Sequence, residues 1–323
     1  MKIAINGLGR IGRNIIRVAI QKNIEIVAIN DIMNIKHAAY LLKYDTIRGA
    51  LDVEIVDNDI LKIGKNLVTF SNFSTPKDTR FEEADVVFEC SGKFLTTAEA
   101  KRHIKGNVKK VIISAPANDD TPTYVLGVNH KEYKEESVIS NASCTTNCLA
   151  PIAKVIDEKY KIIKGFMSTI HSYTMDQKLL DSPNIRDIRR SRAAAENIIP
   201  TFTGAAKAIY KVLPNLKGKL DGRSVRVPVA NVSLMDLVIE LNQNVTVDEI
   251  NELLSFHAKT DLKGILEIDT EYKVSSDINS NPASSIVAAD LTQANGNLVK
   301  IFAWYDNEWG YSNRMIEMAQ YIL

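Results

Sequence analysis

Residues 2–20 read KIAINGLGRIGRNIIRVAI. The apolar run Ile3 to Asn6 is strand-like, Gly7, Gly9 and Gly12 follow at G-x-G-x-x-G spacing, and Ile15, Ile16 and Val18 then recur on one side of a helix. Each glycine has a physical task in such a turn: a tight bend, room for a pyrophosphate to approach the backbone, and close packing of helix on strand. A second strand, Glu25 to Ile29, comes next, and Asp31 stands nineteen residues after Gly12, where a carboxylate would meet the adenosine ribose. The stretch therefore predicts a Rossmann-type dinucleotide site; the alternative is a tight βαβ unit without a ligand. A 2′-phosphate about 4 Å from the Asp31 carboxylate would meet repulsion of about 4 kcal/mol per charge pair at an effective dielectric near 20. NAD is expected over NADP, although Arg10 and Arg13 are cations close enough to soften the preference. Arg10 is expected to help the glycine loop hold phosphate.

Outward from this turn, strands alternate with helices. Asp85 to Cys90, Val111 to Ala115 and Ser137 to Asn141 are β-branched runs ending in small or polar residues, as strand ends lining a ligand crevice do. Ser91 with Gly92, and Ser114 with Ala115 and Pro116, are candidates for the nicotinamide side. Asp52 to Phe70 reads as an antiparallel hairpin insert. His37, His103 and His130 have no matching ligands nearby and read as surface or packing residues, and no metal site is expected.

Residues 140–151, SNASCTTNCLAP, place Cys144 at the start of a run with helical apolar spacing that extends to Tyr160. Unpaired N–H groups and the helix dipole put partial positive charge there, which favours a thiolate, an oxyanion or a phosphate. A thiol at such a position, or beside an imidazolium, is expected below its ordinary pKa of about 8.5. The competing reading is a buried apolar cysteine. Cys148, a turn further on, reads as structural. Beyond this helix the periodicity changes. Phe166 to Thr174, Ser224 to Asn242 with a break near Pro228, and Leu298 to Asp306 are long strands with few helices between them, so a second, α+β domain on a mixed, largely antiparallel sheet is expected. His171 ends the first of these strands and is a candidate base for Cys144.

The 323 residues suffice for two domains, and a net charge of +1 favours neither nucleic acid nor an acidic membrane surface. Three cysteines without metal-like spacing, no leader and no long apolar run lead us to expect a cytoplasmic protein. The run 186–192 holds four arginines and one aspartate. It is the only candidate for a nucleic-acid patch, and no aromatics interleave with it.

Five stretches together resemble phosphorylating glyceraldehyde-3-phosphate dehydrogenase: NGLGRIGR (6–13), SNASCTTNCLAP (140–151), HSYTMDQ (171–177), RAAAENIIPTFTGAAKAI (192–209) and WYDNEWGYSNRM (304–315). The resemblance runs essentially end to end. It implies a cofactor domain over residues 1–143, on which a terminal helix at 310–323 packs back, and a catalytic domain over 144–309. It implies Cys144 as nucleophile and His171 as its base, with Gly7, Gly9, Arg10, Ile11, Gly12, Asp31, Ser114 and Asn307 toward NAD. Thr174, Arg226 and Asp176 fall where the family binds the substrate phosphate. Ser143, Thr145, Thr203 and Gly204 fall where it binds inorganic phosphate, with Arg190 between the two groups. Thr201 to Gly204 would also cap a helix Ala205 to Leu213. The arginine run would pack against a neighbouring subunit in a homotetramer.

The implied reaction is the phosphorylating oxidation of glyceraldehyde 3-phosphate to 1,3-bisphosphoglycerate through a cysteine hemithioacetal and thioester, in glycolysis or gluconeogenesis. Leu8, Ser74 and Ala230 depart from the usual pattern at positions that touch cofactor fit or backbone stiffness. Phe202, where a small hydroxyl residue is usual, and Ser182 depart from it near the phosphate pocket and the adenosine. The alternatives are an erythrose-4-phosphate dehydrogenase, which usually lacks the TGAAK stretch kept here as Thr203 to Lys207, and a non-catalytic NAD- or nucleic-acid-binding protein on the same fold.

Overall fold

A computed structural model describes residues 1–185 and 187–323. The chain divides into two compact units. The first comprises Met1–Leu126, His130–Ser143 and Ser312–Leu323, and the second Gly127–Asn129 and Cys144–Tyr311.

In the first unit, β1 (Lys2–Asn6) leads through the glycine turn into α1 (Arg10–Gln21) and β2 (Glu25–Asn30). After α2 (Ile35–Lys43) come a small ribbon of β3 (Tyr44–Asp45) and β4 (Gly49–Ala50), and then β5 (Val53–Asp57), β6 (Ile60–Ile63) and β7 (Asn66–Ser71). β8 (Val86–Glu89), α3 (Thr97–Ala100), β9 (Lys110–Ile113) and β10 (Val138–Ser140) complete the alternation. The sheet order is β10-β9-β8-β1-β2-β7-β6-β5, parallel from β10 through β7 and antiparallel from β7 to β5. The expected hairpin insert is thus a three-strand meander, and its last strand extends the parallel sheet. Strand order reverses at β1 and β8, which puts the topological switch point over Gly7 and the Cys90–Gly92 turn. The parallel strands are apolar on both faces: Ile3, Ala4, Ile5, Val86, Val87, Phe88, Val111, Ile112 and Ile113 are all fully buried.

The second unit begins with α4 (Cys144–Tyr160) and β11 (Ile162–Ser172). Its further strands are β12 (Ile199–Phe202), β13 (Leu220–Val227), β14 (Ser233–Leu241), β15 (Leu266–Asp269), β16 (Ser285–Ala288), β17 (Gln293–Asn295) and β18 (Leu298–Tyr305). α5 (Val247–Lys259) follows β14. A capping box starts it, with Thr246 accepting from the Glu249 N–H and Glu249 accepting from that of Thr246. The sheet order is β12-β13-β11-β14-β18-β16-β15 with β17 on β18; only β11/β13 and β15/β16 are parallel. β14 alternates buried and half-buried residues along its whole length, as a strand with one covered face does. The mixed, largely antiparallel sheet is as expected, and so is the break at Pro228.

The helix expected over Ala205 to Leu213 is not formed. The segment holds a 3-10 turn, Lys207–Lys211, and the chain leaves the helical region before Pro214, with Leu213 at φ −135°, ψ 81°. The final helix, α6 (Trp309–Ile322), starts in the second unit and continues into the first. Within the first unit its Glu317 meets Lys22 at 2.8 Å and Tyr321 packs edge-on against His130. No helix among the described residues is long and apolar enough to cross a membrane.

Candidate active site

In the first unit, a Cβ at Gly12 would stand 2.0 Å from the Gly7 carbonyl oxygen, and one at Gly7 would stand 2.6 Å from the Ser91 nitrogen. Gly7 also holds φ +99°, a conformation only glycine adopts without strain. Gly9, by contrast, faces open space, with nothing within 4 Å of its Cβ position. It caps α1 without a side-chain hydrogen bond, and the positive end of the helix dipole at this first turn favours an anion. The turn thus has the cradle a pyrophosphate needs. Asp31 braces it, accepting from the Leu8 N–H at 2.6 Å with one oxygen and from the Met33 N–H at 3.0 Å with the other. Its remaining lone pairs are suited to ribose hydroxyls. Ser114 follows β9, and its N–H bonds to the Glu89 carbonyl at 2.9 Å.

Arg10 is committed elsewhere as well, since its guanidinium ion-pairs with Asp45. Asp45 is buried, which alone would raise its carboxyl, but hydrogen bonds from Arg10 and from the Arg48 and Ile47 amides hold it below the usual range. A depressed carboxyl contributes stability above its ordinary pKa of about 3.9 and loses it as pH falls through the folded value. Asp45→Asn is therefore expected to cost about 1–3 kcal/mol at pH 7. The deficit should shrink below about pH 4. Urea melts at the two pH values measure this.

In the second unit, Cys144 opens α4 with its sulfur 3.8 Å from His171 Nε2 and 4.0 Å from Thr145 Oγ1. The His171 tautomer follows from its other nitrogen. Nδ1 lies 2.7 Å from the Ser172 carbonyl oxygen, which can only accept, and 2.8 Å from Arg226 Nη1, which can only donate; because Nη1 has the same carbonyl as its acceptor, we assign the hydrogen to Nδ1, which leaves Nε2 bare toward the sulfur. Arg226 Nη1 donates to the same carbonyl at 2.9 Å. Burial, and then the Arg226 charge, push His171 down to about 3. Burial also pushes the Cys144 thiol up, against the opposing pull of the Thr145 hydrogen bond and Arg226. The expected lowering of this thiol is thus opposed by burial, which outweighs the hydrogen bonds and the Arg226 charge that favour the thiolate. Passing the thiol proton to His171 creates a pair of opposite charges in place of one isolated buried charge.

The anion-binding candidates form two groups. Arg226 Nε is buried and has no partner among the described residues, although a guanidinium is a strong donor. Thr174 donates to Asp176, and Arg190 joins Asp176 to Thr201, whose oxygen lies 2.9 Å from Arg190 Nε. Thr203 accepts from the Ala205 N–H at 3.2 Å, and Gly204 faces open space. Without the expected helix, no helix dipole acts at these two positions. Phe202 is 58% exposed and lies over the Arg190 guanidinium at 5.2 Å, a cation–π contact that steadies the arginine. Asn307 accepts from Ser172 Oγ at 3.0 Å and Ser233 Oγ at 3.1 Å, which fixes the orientation of its amide. Ser143 closes the first unit, directly after Ala142 at φ +56°. Ser182 is exposed in the loop before Pro183. The basic run begins at Arg186, outside the described residues; Arg192 pairs with Asp181 and Arg190 with Asp176.

Sequence reasoning overlooked two features of this unit. Tyr305, 1% exposed, holds Thr145 Oγ1 at 2.9 Å and Thr169 Oγ1 at 2.7 Å, a chain of hydroxyls leading to the nucleophile's neighbour. Its position on the inward side of the alternating β18 was the available signal. Gln177 receives the Thr174 N–H at 3.2 Å and clamps the turn that carries Thr174 and Asp176.

Two family models match the chain: glyceraldehyde 3-phosphate dehydrogenase, NAD binding domain, over residues 1–97, and its C-terminal domain over residues 143–307. Similar curated proteins include glyceraldehyde-3-phosphate dehydrogenase 1 of Bacillus cereus, 52% identical over 99% of this chain and 98% of that protein. Glyceraldehyde-3-phosphate dehydrogenase of Geobacillus stearothermophilus is 49% identical over 100% and 98%, and that of Colletotrichum lindemuthianum 49% over 100% and 97%. The chain belongs to the glyceraldehyde-3-phosphate dehydrogenase family. It is an NAD-dependent oxidoreductase that oxidises glyceraldehyde 3-phosphate.

Proposed function

We propose that the oxidation proceeds on Cys144, with His171 as its base, and that inorganic phosphate releases the product as an acyl phosphate. The observation that carries this reading is the bare Nε2 of His171 facing the Cys144 sulfur at 3.8 Å. Cys144 attacks the aldehyde carbon as its proton passes to His171, and His171 returns that proton to the alkoxide oxygen, giving a hemithioacetal and a neutral imidazole. His171 then takes the hydroxyl proton as the carbon loses hydride, and a thioester on Cys144 results. NAD, when bound, supplies the hydride acceptor. Phosphate attacks the thioester carbonyl, the C–S bond breaks, and Cys144 regains its thiolate. A thioester suits this last step because sulfur is a better leaving group than a serine oxygen.

Arg226, Thr174 and Asp176 would serve the substrate phosphate. Ser143, Thr145, Thr203 and Gly204 would serve the incoming one, and Arg190, bonded to Asp176, would stand between the sets. Residues 1–143 with the terminal helix would form the cofactor domain and residues 144–309 the catalytic domain. The turn Gly7–Gly12, with Arg10 and Ile11 in the first helical turn, would hold the pyrophosphate. Asp31 would hold the ribose, and Ser114 and Asn307 would face the nicotinamide end. A cytoplasmic homotetramer working in glycolysis or gluconeogenesis is the corresponding setting.

Cofactor reduction at 340 nm with glyceraldehyde 3-phosphate, with NAD or NADP and with or without inorganic phosphate, tests the scheme. Rapid turnover with NAD that depends on phosphate is expected. Sustained turnover without phosphate would refute the acyl-phosphate step, and turnover with erythrose 4-phosphate alone would point to the relative enzyme. Asp31→Ala should raise the NADP-to-NAD ratio of kcat/KM by about tenfold or more, the effect of removing about 1.4 kcal/mol of repulsion. An unchanged ratio would remove Asp31 from cofactor choice.

A further inference from the structure

Glu89 ends β8 and is 1% exposed, and His103, packed beside it, is 0% exposed. The carboxylate is surrounded by donors: Asn6 Nδ2 at 2.6 Å, the Ser91 N–H at 2.8 Å, Ser91 Oγ at 2.5 Å and His103 Nε2 at 2.9 Å. Each carboxylate oxygen already meets a group that can only donate, the Ser91 N–H at Oε1 and the Asn6 NH₂ at Oε2, so Glu89 accepts throughout and His103 carries its hydrogen on Nε2. The network continues along the strand ends. Asn30 donates to Asn6 Oδ1 at 2.8 Å, and Ser71 donates to Asn30 Oδ1 at 2.9 Å. Four neighbouring strands, β7, β2, β1 and β8, are thereby tied at their C-terminal ends beneath the glycine turn.

The turn rests directly on this network. Gly7 follows Asn6, its N–H bonds to the Asn30 carbonyl at 2.7 Å, and the Cys90 N–H bonds to the Asn6 carbonyl at 2.7 Å. The contact of Gly7 with the Cys90–Ser91 peptide is so close that no Cβ fits between them. Glu89 holds that peptide through the Ser91 N–H and holds Asn6 from the other side. A shift of Ser91 by a few tenths of an ångström is therefore passed to the loop without slack.

We infer that Glu89, seated by His103, is a positioning residue for NAD: it fixes the Ser91 peptide and Asn6, and through them the Gly7–Gly9 turn. The inference rests on the reading that this turn holds the cofactor pyrophosphate. Glutamine at position 89 keeps the shape but turns an amide NH₂ toward groups that are themselves donors, so one pair of contacts must open.

Calorimetric titration of the full-length apo protein with NAD decides the matter. Glu89→Gln is expected to weaken NAD binding by about tenfold or more. Iodoacetamide should still alkylate Cys144 at the parental rate in the absence of NAD, and the circular dichroism should be unchanged. His103→Gln, whose amide nitrogen can replace Nε2 as donor, should stay within about threefold of the parent, whereas His103→Leu should fall by about tenfold. Gly9→Val, filling the open cradle, should abolish binding.

Parental affinity in Glu89→Gln while Gly9→Val fails to bind would overturn the positioning role alone. Parental affinity in Gly9→Val would overturn the cofactor-turn reading beneath it. A fall in Cys144 alkylation as large as the fall in NAD affinity would mark a general loss of structure and also reject the role. If Glu89→Gln does not fold, the His103 pair decides, and equal affinities for Gln and Leu would reject it.

Discussion

Cys144→Ser is expected to lower cofactor reduction with glyceraldehyde 3-phosphate by at least about 10⁴-fold, because removing a nucleophile leaves only binding and electrostatic contributions. The substitution exchanges sulfur for oxygen at a half-buried position that opens α4 and leaves the glycine turn of the first unit untouched. NAD affinity by calorimetry should therefore remain within about twofold of the parent, since additivity holds for groups without shared partners. Activity above about 1% of the parental rate would mean that the nucleophile lies elsewhere. An equal loss of NAD affinity would mean that the fold, and not the chemistry, had failed.

His171→Asn should slow the reaction by about 10²–10⁴-fold, the range for loss of a general base. Alkylation of Cys144 separates this role from a packing role. In the parent, the bare Nε2 at 3.8 Å can receive the thiol proton. Asparagine offers no such acceptor, and burial alone pushes the thiol up. The alkylation midpoint of the variant should therefore move to higher pH than the parental one, above the ordinary thiol value of about 8.5. Coincident alkylation profiles for the two proteins would exclude proton transfer between the pair.

The parts of this molecule that could be read from sequence are those where chemistry fixes spacing. Three glycines at G-x-G-x-x-G with a later carboxylate restrict the chain to one kind of turn, and the β-branched runs around them restrict the sheet. Element ends make Cys144 and His171 only a plausible pair, since a lone strand histidine is more often a core residue, and it is the SNASCTTNCLAP and HSYT stretches together that join them. What stayed hidden depended on contacts between residues far apart in the chain. Glu89 and His103 read as a strand end and a packing histidine, and only the fold places their side chains 2.9 Å apart. Tyr305, Thr145 and Thr169 lie on three separate elements, and no periodicity links them. The helix expected over Ala205 to Leu213 is only a 3-10 turn at Lys207–Lys211, a tighter winding that apolar spacing over so short a run does not distinguish from an α-helix. Charge reasoning at Cys144 underestimated burial, which depends on neighbours that a sequence does not reveal.

The division of the chain also has a consequence for its synthesis. Residues Ser312–Leu323 belong to the unit built on the first strands, yet they are translated after the whole second unit. The unit begun first thus has to wait through the synthesis of the whole second unit before Glu317 and Tyr321 can reach Lys22 and His130. Until then those contacts are unmade, the kind of interval in which an incomplete domain is open to misassembly.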